Sequence, residues 1–167
     1  DTSLNFVYIV GQTLSDSGIA TSGSHQAYFS SSCCTTDAFI AQFNLGGDLQ
    51  WATYYGGYHQ DRFKACGVDS ASNFYAAGWT RSSDGVATYG SHKNYYTYNG
   101  DGMLAKFNSS GVRQWGTYYG EQGGDEFFDM VIDNQTNIYL SGTSSASQGI
   151  ATAGSHQDTL SGNGTTS

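Results

Sequence analysis

The sequence predicts an all-β protein built from repeated units of four short antiparallel strands. One observation is the composition: the 167 residues include 23 glycines and 13 tyrosines but no proline, which is typical of strands joined by tight turns. A second is an internal repeat, in which residues 61–69 match residues 125–133 at an offset of 64. A third is that Asn, Asp and Gly separate short runs rich in aromatic and β-branched residues, as antiparallel hairpins require.

The internal repeat extends over most of the chain. Two further segments recur at the same offset of 64: residues 37–44 at 101–108, and residues 51–56 at 115–120. An earlier partial copy around Tyr8 matches Tyr75 at an offset of 67, because three residues are inserted before Asp37. A sandwich or a solenoid could hold such units, but a propeller requires the repeat, because every blade contacts equivalent neighbours. The repeat therefore favours a β-propeller.

Each repeat unit divides into four strands. In chain order the predicted strands are 7–10, 38–43 and 49–55 in the first unit, 63–69, 74–77, 103–107 and 113–119 in the second, and 127–133 and 138–141 in the third. The first strand of a unit ends in an Asp-x-x-x-Asn turn, which the side chains can stabilise by bonding nearby backbone groups. These structural residues are Asp69 with Asn73, and Asp133 with Asn137.

The same pattern sets the domain organisation. Residues 1–60 are predicted to be a partial blade, with strands two to four and a connecting loop. Residues 61–124 form a complete blade, and residues 125–167 hold strands one and two and a long loop. About two and a half blades are therefore present, whereas closed propellers have roughly four to eight. We expect the sequence to be part of one larger propeller, so that the rest of that chain is its first partner.

Three segments resemble a known repeat: residues 37–44, 47–57 and 68–80 are similar to the bacterial β-propeller repeat often called the seven-bladed repeat. The resemblance implies a secreted or cell-surface protein, usually bacterial and without a known activity, and it supplies no catalytic residues. The Gly-x-Ala-Thr-x-Gly-Ser-His segments at 18–25, 85–92 and 149–156 depart from the family, where many members have a loop containing Pro and Phe.

Charge and hydrophobicity exclude two classes of partner. The chain has 6 basic and 14 acidic residues, for a net charge of −8. An acidic surface repels nucleic acid and anionic membranes. No run approaches the roughly 20 apolar residues of a membrane helix, so the sequence predicts neither nucleic-acid binding nor membrane insertion.

The recurring histidines are the main candidate site residues. A Ser-His pair occurs in every unit and places its histidine at His25, His92 and His156. Adjacent side chains on an extended strand point in opposite directions, so the pair does not suit a nucleophile and its base. Packed sheets lie about 10 Å apart, too far for three such histidines to bind one zinc ion at about 2 Å. The two readings left open are a structural staple within each loop and contact with a ligand.

A second candidate loop joins the first two units and contains Tyr58, His59 and Gln60. We expect it at the same end of the blades as the histidine loops, because four antiparallel strands alternate in direction. No cofactor or metal is predicted, since the calcium-binding spacing Asp-x-Asp-x-Asp-Gly is absent. Any ligand is expected to be a surface glycan or a protein.

Tryptophan and cysteine positions give structural predictions. Trp51 and Trp115 are predicted to be equivalent and substantially buried. Cys66 occupies the place of Met130 in the next unit, which indicates a small buried apolar side chain. Cys33 and Cys34 are adjacent, and a strained disulfide between them is left open.

Three functions are compatible with these features. The first is a non-enzymatic structural or adhesive propeller module of a secreted or cell-surface protein. The alternative is a lectin-like propeller that binds glycans or peptides at the inter-blade loops, with Tyr and Trp stacking on sugars. A propeller enzyme is the least favoured, because no unrepeated cluster of catalytic residue types stands out.

Overall fold

A computed structural model describes residues 5–30 and 34–159. Within these residues the fold is all-β: it contains no helix and has three antiparallel sheets of three, four and two strands. The strands are β1 (Phe6–Thr13), β2 (Asp37–Asn44), β3 (Leu49–Tyr55), β4 (Asp61–Val68), β5 (Phe74–Thr80), β6 (Asp101–Phe107), β7 (Arg113–Tyr119), β8 (Asp125–Ile132) and β9 (Ile138–Ser144). The first sheet is β1–β2–β3, the second β4–β5–β6–β7 and the third β8–β9. The predicted all-β class is confirmed.

The turn between the first two strands of a unit is built around one aspartate. Asp69 accepts hydrogen bonds from the backbone N–H groups of Ala71 and Asn73, from the Asn73 side chain and from the Tyr75 hydroxyl, at 2.8–3.0 Å. The carboxylate of Asp133 makes the same set of bonds 64 residues later, ending with the Tyr139 hydroxyl at 3.2 Å. The aspartate therefore fixes the register of each hairpin by satisfying the turn's donors.

After the second strand of the first two units, the chain folds back along the outer edge of its own sheet, and an equivalent segment follows β9. We call residues 18–26, 85–93 and 149–157 the rim segments. In the first, the Thr21 N–H donates to the Ala52 carbonyl at 2.9 Å, and in the second the Thr88 N–H donates to the Gly116 carbonyl at 2.9 Å. The first two rim segments thus cover β3 and β7, edges that would otherwise invite pairing with another chain.

The core lies between the sheets. Between the first and second sheets, Trp51, Tyr55 and Phe74 pack with Phe107 in one buried cluster. A smaller cluster, centred on Tyr75 and Met130, lies between the second and third sheets. Both faces of the second sheet are therefore covered, as expected from its apolar residues on both sides.

Two other findings concern the described residues as a whole. Within residues 5–30 and 34–159, no helix has the length and apolar character needed to cross a membrane.

Cys66 is half-buried against the core between the first and second sheets, and it is a free thiol. Cys34 is free and exposed, whereas the prediction for Cys33 lies outside the described residues.

Candidate functional site

Buried aspartates begin the strands that meet at one end of the sheets. Asp61, at the start of β4, accepts hydrogen bonds from the Ser82 hydroxyl at 2.8 Å, from the Gly57 N–H at 2.9 Å and from the Thr80 hydroxyl. Burial raises the pKa of Asp61 to about 7, and these three hydrogen bonds oppose the rise. Because its donors come from the loop before β4, the end of β5 and the loop after β5, this carboxyl group fastens those segments together.

A second buried aspartate uses an ion pair for the same purpose. Asp101, at the start of β6, lies 3.1 Å from the Lys93 ammonium group of the second rim segment, and it also accepts hydrogen bonds from Thr97. Burial raises the pKa of Asp101, and the Lys93 contact opposes the rise. In the first unit, Gln26 takes the place of Lys93, and its side-chain amide donates a hydrogen bond to the Asp37 carboxylate at 3.1 Å. The first two rim segments are thereby also tied to β2 and β6.

Asp125, the counterpart of Asp61 in the third sheet, differs from the others. It is only 3% exposed, and neither of its carboxylate oxygens has a hydrogen-bond partner among the described residues. The sequence accounts for one of the absent bonds, because Ala146 stands at the position of Ser82 and carries no hydroxyl. The third sheet therefore buries an acid without one of the donors that the second sheet supplies.

The three histidines occupy different environments. His25 is half-buried, with its ring 5.8 Å from the Tyr55 ring and 6.0 Å from the Phe107 ring. Burial, and then the nearby positive charge of Arg113, lower the pKa of His25 to about 4. His92 is exposed and stacks on Tyr119 at 5.9 Å, and His156 is exposed. Of the three, only His25 also lies against an aromatic residue of the following sheet, Phe107.

The rim segment at His25 borders a polar cavity of about 510 Å³. The cavity is lined by residues 21–25, Gln50, Trp51 and residues 110–113. Trp51 offers little surface to the cavity, because its indole is buried. Gly111 packs so closely on the ring that an added Cβ would lie 2.6 Å from it. The indole Nε1–H donates a hydrogen bond to the Ser109 carbonyl at 3.3 Å. This tryptophan packs the interface and does not form a stacking platform for a sugar.

The second candidate loop lies against a different part of the chain. The Tyr58 N–H donates to Asp84 at 3.2 Å, and the His59 N–H donates to the Ser82 hydroxyl at 2.9 Å. The Gln60 carbonyl accepts a hydrogen bond from the Arg81 N–H at 2.8 Å. These contacts hold the loop beside residues 81–84, whereas the His25 rim segment reaches residues 110–113. The loop therefore lies next to the start of the second rim segment, where Gly85 packs against Gly56 and Gly57.

One cleft was not anticipated from the sequence. It has a volume of about 900 Å³ and lies between the second sheet, the third sheet and the third rim segment. Its walls are mainly apolar and include Trp115, Tyr119, Phe127, Leu140 and Ile150. Trp115 is only partly buried because its ring borders this cleft, whereas its counterpart Trp51 is covered by Phe107. The repeat was the sequence feature that could have located it, because it aligns Trp115 and Phe127 with the buried Trp51 and Phe63.

Exposed tyrosines mark the outer loops. Four of them project from the loops that follow the second strands of the first two units: Tyr28, Tyr89, Tyr95 and Tyr98. Tyrosine combines a flat apolar ring with a polar hydroxyl, a combination that suits contact with proteins or sugars. No group of three or more His, Cys, Asp or Glu side chains in the described part of the chain could hold a metal ion.

Comparison with protein-family models and with curated protein sequences gives no match to this chain.

Proposed function

We propose that this chain is a structural or adhesive module of a β-propeller in a secreted or cell-surface protein. The supporting observation is that one set of inter-sheet contacts occurs twice. The Tyr55 hydroxyl donates to the Val86 carbonyl, and 64 residues later the Tyr119 hydroxyl donates to the Ile150 carbonyl, both at 2.6 Å. Blades that contact equivalent neighbours need such a recurring junction.

A non-enzymatic role is supported by how the buried polar groups are used. Asp61 is bound to three donors, and Lys93 and Asp101 form an ion pair, so these groups join loops to strands. The aspartates recur in successive units, Asp37 with Asp101 and Asp61 with Asp125, as a repeated scaffold requires. The exposed polar residues near these buried groups can contact a binding partner without catalysing a reaction.

The exposed tyrosines favour an adhesive role and also the lectin-like alternative. Tyr28 and Tyr95 are equivalent positions in the first and second units and are both largely exposed, as is Tyr98. Aromatic side chains in such positions supply contact area to protein partners and stacking surfaces to sugar rings. The acidic charge of −8 would favour a neutral or basic partner.

The test is binding of the full chain to cell-surface extracts and to a glycan array. A triple variant, Tyr28→Ser, Tyr95→Ser and Tyr98→Ser, is compared with a control in which Tyr58 is replaced by serine. Binding to proteins of the cell-surface extract that the triple variant loses and the Tyr58 control keeps would support the adhesive role. Binding of the unaltered chain to specific glycans on the array would support the lectin-like alternative. Turnover in a hydrolase screen would contradict a non-enzymatic function.

A further inference from the structure

The cleft between the second and third sheets has the geometry of a slot for two strands. β9 has only β8 as a neighbour among the described strands, so its other edge faces the cleft. On the far side lies Ile150 of the third rim segment, and the floor is formed by Trp115 and Tyr119. A strand edge, a second backbone segment and an apolar floor are therefore brought together around one cavity.

The equivalent space one unit earlier is filled, and it shows what fits. There, β6 pairs with β5, and β7 lies between β6 and the second rim segment. Phe107 of β6 is buried and stacks on Trp51 at 6.1 Å. Filling this space leaves Trp51, Tyr55 and Phe63 buried, whereas their counterparts at the open cleft are only partly buried. A hairpin in the cleft would remove the same apolar surface from water.

The third rim segment already has the shape that accepts an outer strand. In the first two rim segments, the turn is closed by hydrogen bonds from Ser24 to Thr21 and from Ser91 to Thr88, both at 3.2 Å. The third has the same turn, with the Ser155 N–H donating to the Thr152 carbonyl at 3.1 Å. Because Thr21 and Thr88 bond the central residue of β3 and β7, Thr152 is placed to bond a strand that enters the cleft.

One contact in the filled site selects a particular residue. A Cβ added to Gly116, in the middle of β7, would overlap both the Tyr55 hydroxyl and the Val86 carbonyl oxygen. The cleft contains the same pair, in which the Tyr119 hydroxyl lies 2.6 Å from the Ile150 carbonyl oxygen. A strand in the corresponding position must therefore have glycine there, and the Tyr119 hydroxyl and the Ile150 carbonyl enforce this together.

We propose that the cleft binds a β-hairpin of the β6–β7 kind, and that the Tyr119 hydroxyl and the Ile150 carbonyl together admit only hairpins with glycine at the centre of the outer strand. The hairpin of β2 and β3 provides a natural contrast, because Ala52 occupies the position of Gly116. This inference concerns packing selectivity and goes beyond the proposed function, since it holds whether or not the protein is adhesive.

The experiment titrates synthetic peptides into the full chain and follows binding by calorimetry. The peptides are residues 98–120, the same peptide with Gly116→Ala, residues 34–56, and the last with Ala52→Gly. The first should bind about tenfold or more tightly than its alanine form, because a Cβ forced into a packed interface is strongly disfavoured. The Ala52→Gly change should improve binding of the second hairpin.

A variant of the protein identifies the source of the selectivity. Tyr119→Phe removes the hydroxyl and keeps the ring, so the difference between the glycine and alanine peptides should shrink severalfold. Equal affinity of the glycine and alanine peptides for the unaltered chain would overturn the proposal. Selectivity that is unchanged in Tyr119→Phe would overturn the part assigned to the hydroxyl and leave the Ile150 carbonyl as its only source.

A fusion avoids dependence on a free hairpin, which is only marginally stable in water. Residues 98–120 are joined to the C-terminus through a Gly/Ser linker, which raises their effective concentration. The thermal midpoint should rise for the glycine form and not for the Gly116→Ala form. No rise with either form, together with no peptide binding, would overturn the slot itself, whereas the adhesion assays would be unaffected by that result.

Discussion

Restoring the missing hydroxyl near Asp125 should stabilise the protein. In the second sheet, Ser82 donates to Asp61 at 2.8 Å, and in the third sheet Ala146 stands in its place. The backbone is already arranged alike, because the N–H groups of Ser82 and Ala146 each bond the hydroxyl two residues earlier, at 2.9 and 3.1 Å. Ala146→Ser therefore adds one oxygen beside a buried carboxylate that has no partner among the described residues.

The magnitude follows from the cost of an unsatisfied buried group, which is about 1–3 kcal/mol. Part of that gain is lost in fitting the extra atom, so we expect the free energy of unfolding to rise by about 1 kcal/mol. Urea denaturation followed by tryptophan fluorescence measures it. As a matched control, Ser82→Ala should lower the free energy of unfolding by about 1–3 kcal/mol.

A double-mutant cycle tests whether the gain in stability comes from a bond between the new hydroxyl and Asp125. In an Asp125→Ala background the added hydroxyl has no carboxylate to bond, so Ala146→Ser should give no gain there. A loss of stability on Ala146→Ser with Asp125 intact, or the same gain in both backgrounds, would refute the reasoning.

Three other predictions can be checked with the same denaturation assay. Trp51→Ala should cost about 3–5 kcal/mol, and Trp115→Ala should cost less, because Trp115 is only partly buried; equal costs would contradict this. His25 has a pKa of about 4 when folded, against 6.5 as its ordinary value, so its stabilising contribution is complete above pH 6.5 and is lost as the pH falls towards 4. The unaltered chain should lose about 2 kcal/mol relative to His25→Phe across that window, after allowance for partial exposure. Within the chain, Gly116→Ala should destabilise by about 1–3 kcal/mol, and Tyr55→Phe should recover part of the loss; an unchanged loss in the double variant would argue against the overlap.

The strand order could be predicted from the sequence because the repeat reports it directly. The bounds of β3 and β7 agree with the prediction, since a glycine-containing turn precedes each strand and a glycine follows it. Most of the other strands extend farther than their apolar runs. In β4 and β5, for example, pairing continues to Asp61 opposite Thr80, where burial of a hydrogen-bonded aspartate replaces hydrophobic packing.

The rim segments could not be predicted as paired backbone. Their residues are mostly polar, and the bond from Thr21 to Ala52 joins positions 31 residues apart, so no local pattern indicates it. The repeat motif did show that the segment recurs, but periodicity alone does not reveal which edge it covers.

The candidate site shows why equivalent residues can differ in role. His25, His92 and His156 have the same local sequence, yet only His25 has Phe107 of the following sheet beside it. Trp51 and Trp115 differ for the same reason. The environment of a residue in a repeat depends on the neighbouring unit, and the sequence of its own unit does not contain that information.

A crystal structure of the full chain with the peptide of residues 98–120 is the most direct test that the sheets pack through one recurring junction. We predict that the peptide extends the third sheet to four strands, with its outer strand bonded to Thr152 and its central glycine against the Tyr119 hydroxyl. The Trp115 ring should then be covered by the peptide phenylalanine, as Trp51 is covered by Phe107. A peptide bound elsewhere, or seated in the cleft in another register, would contradict the recurring junction.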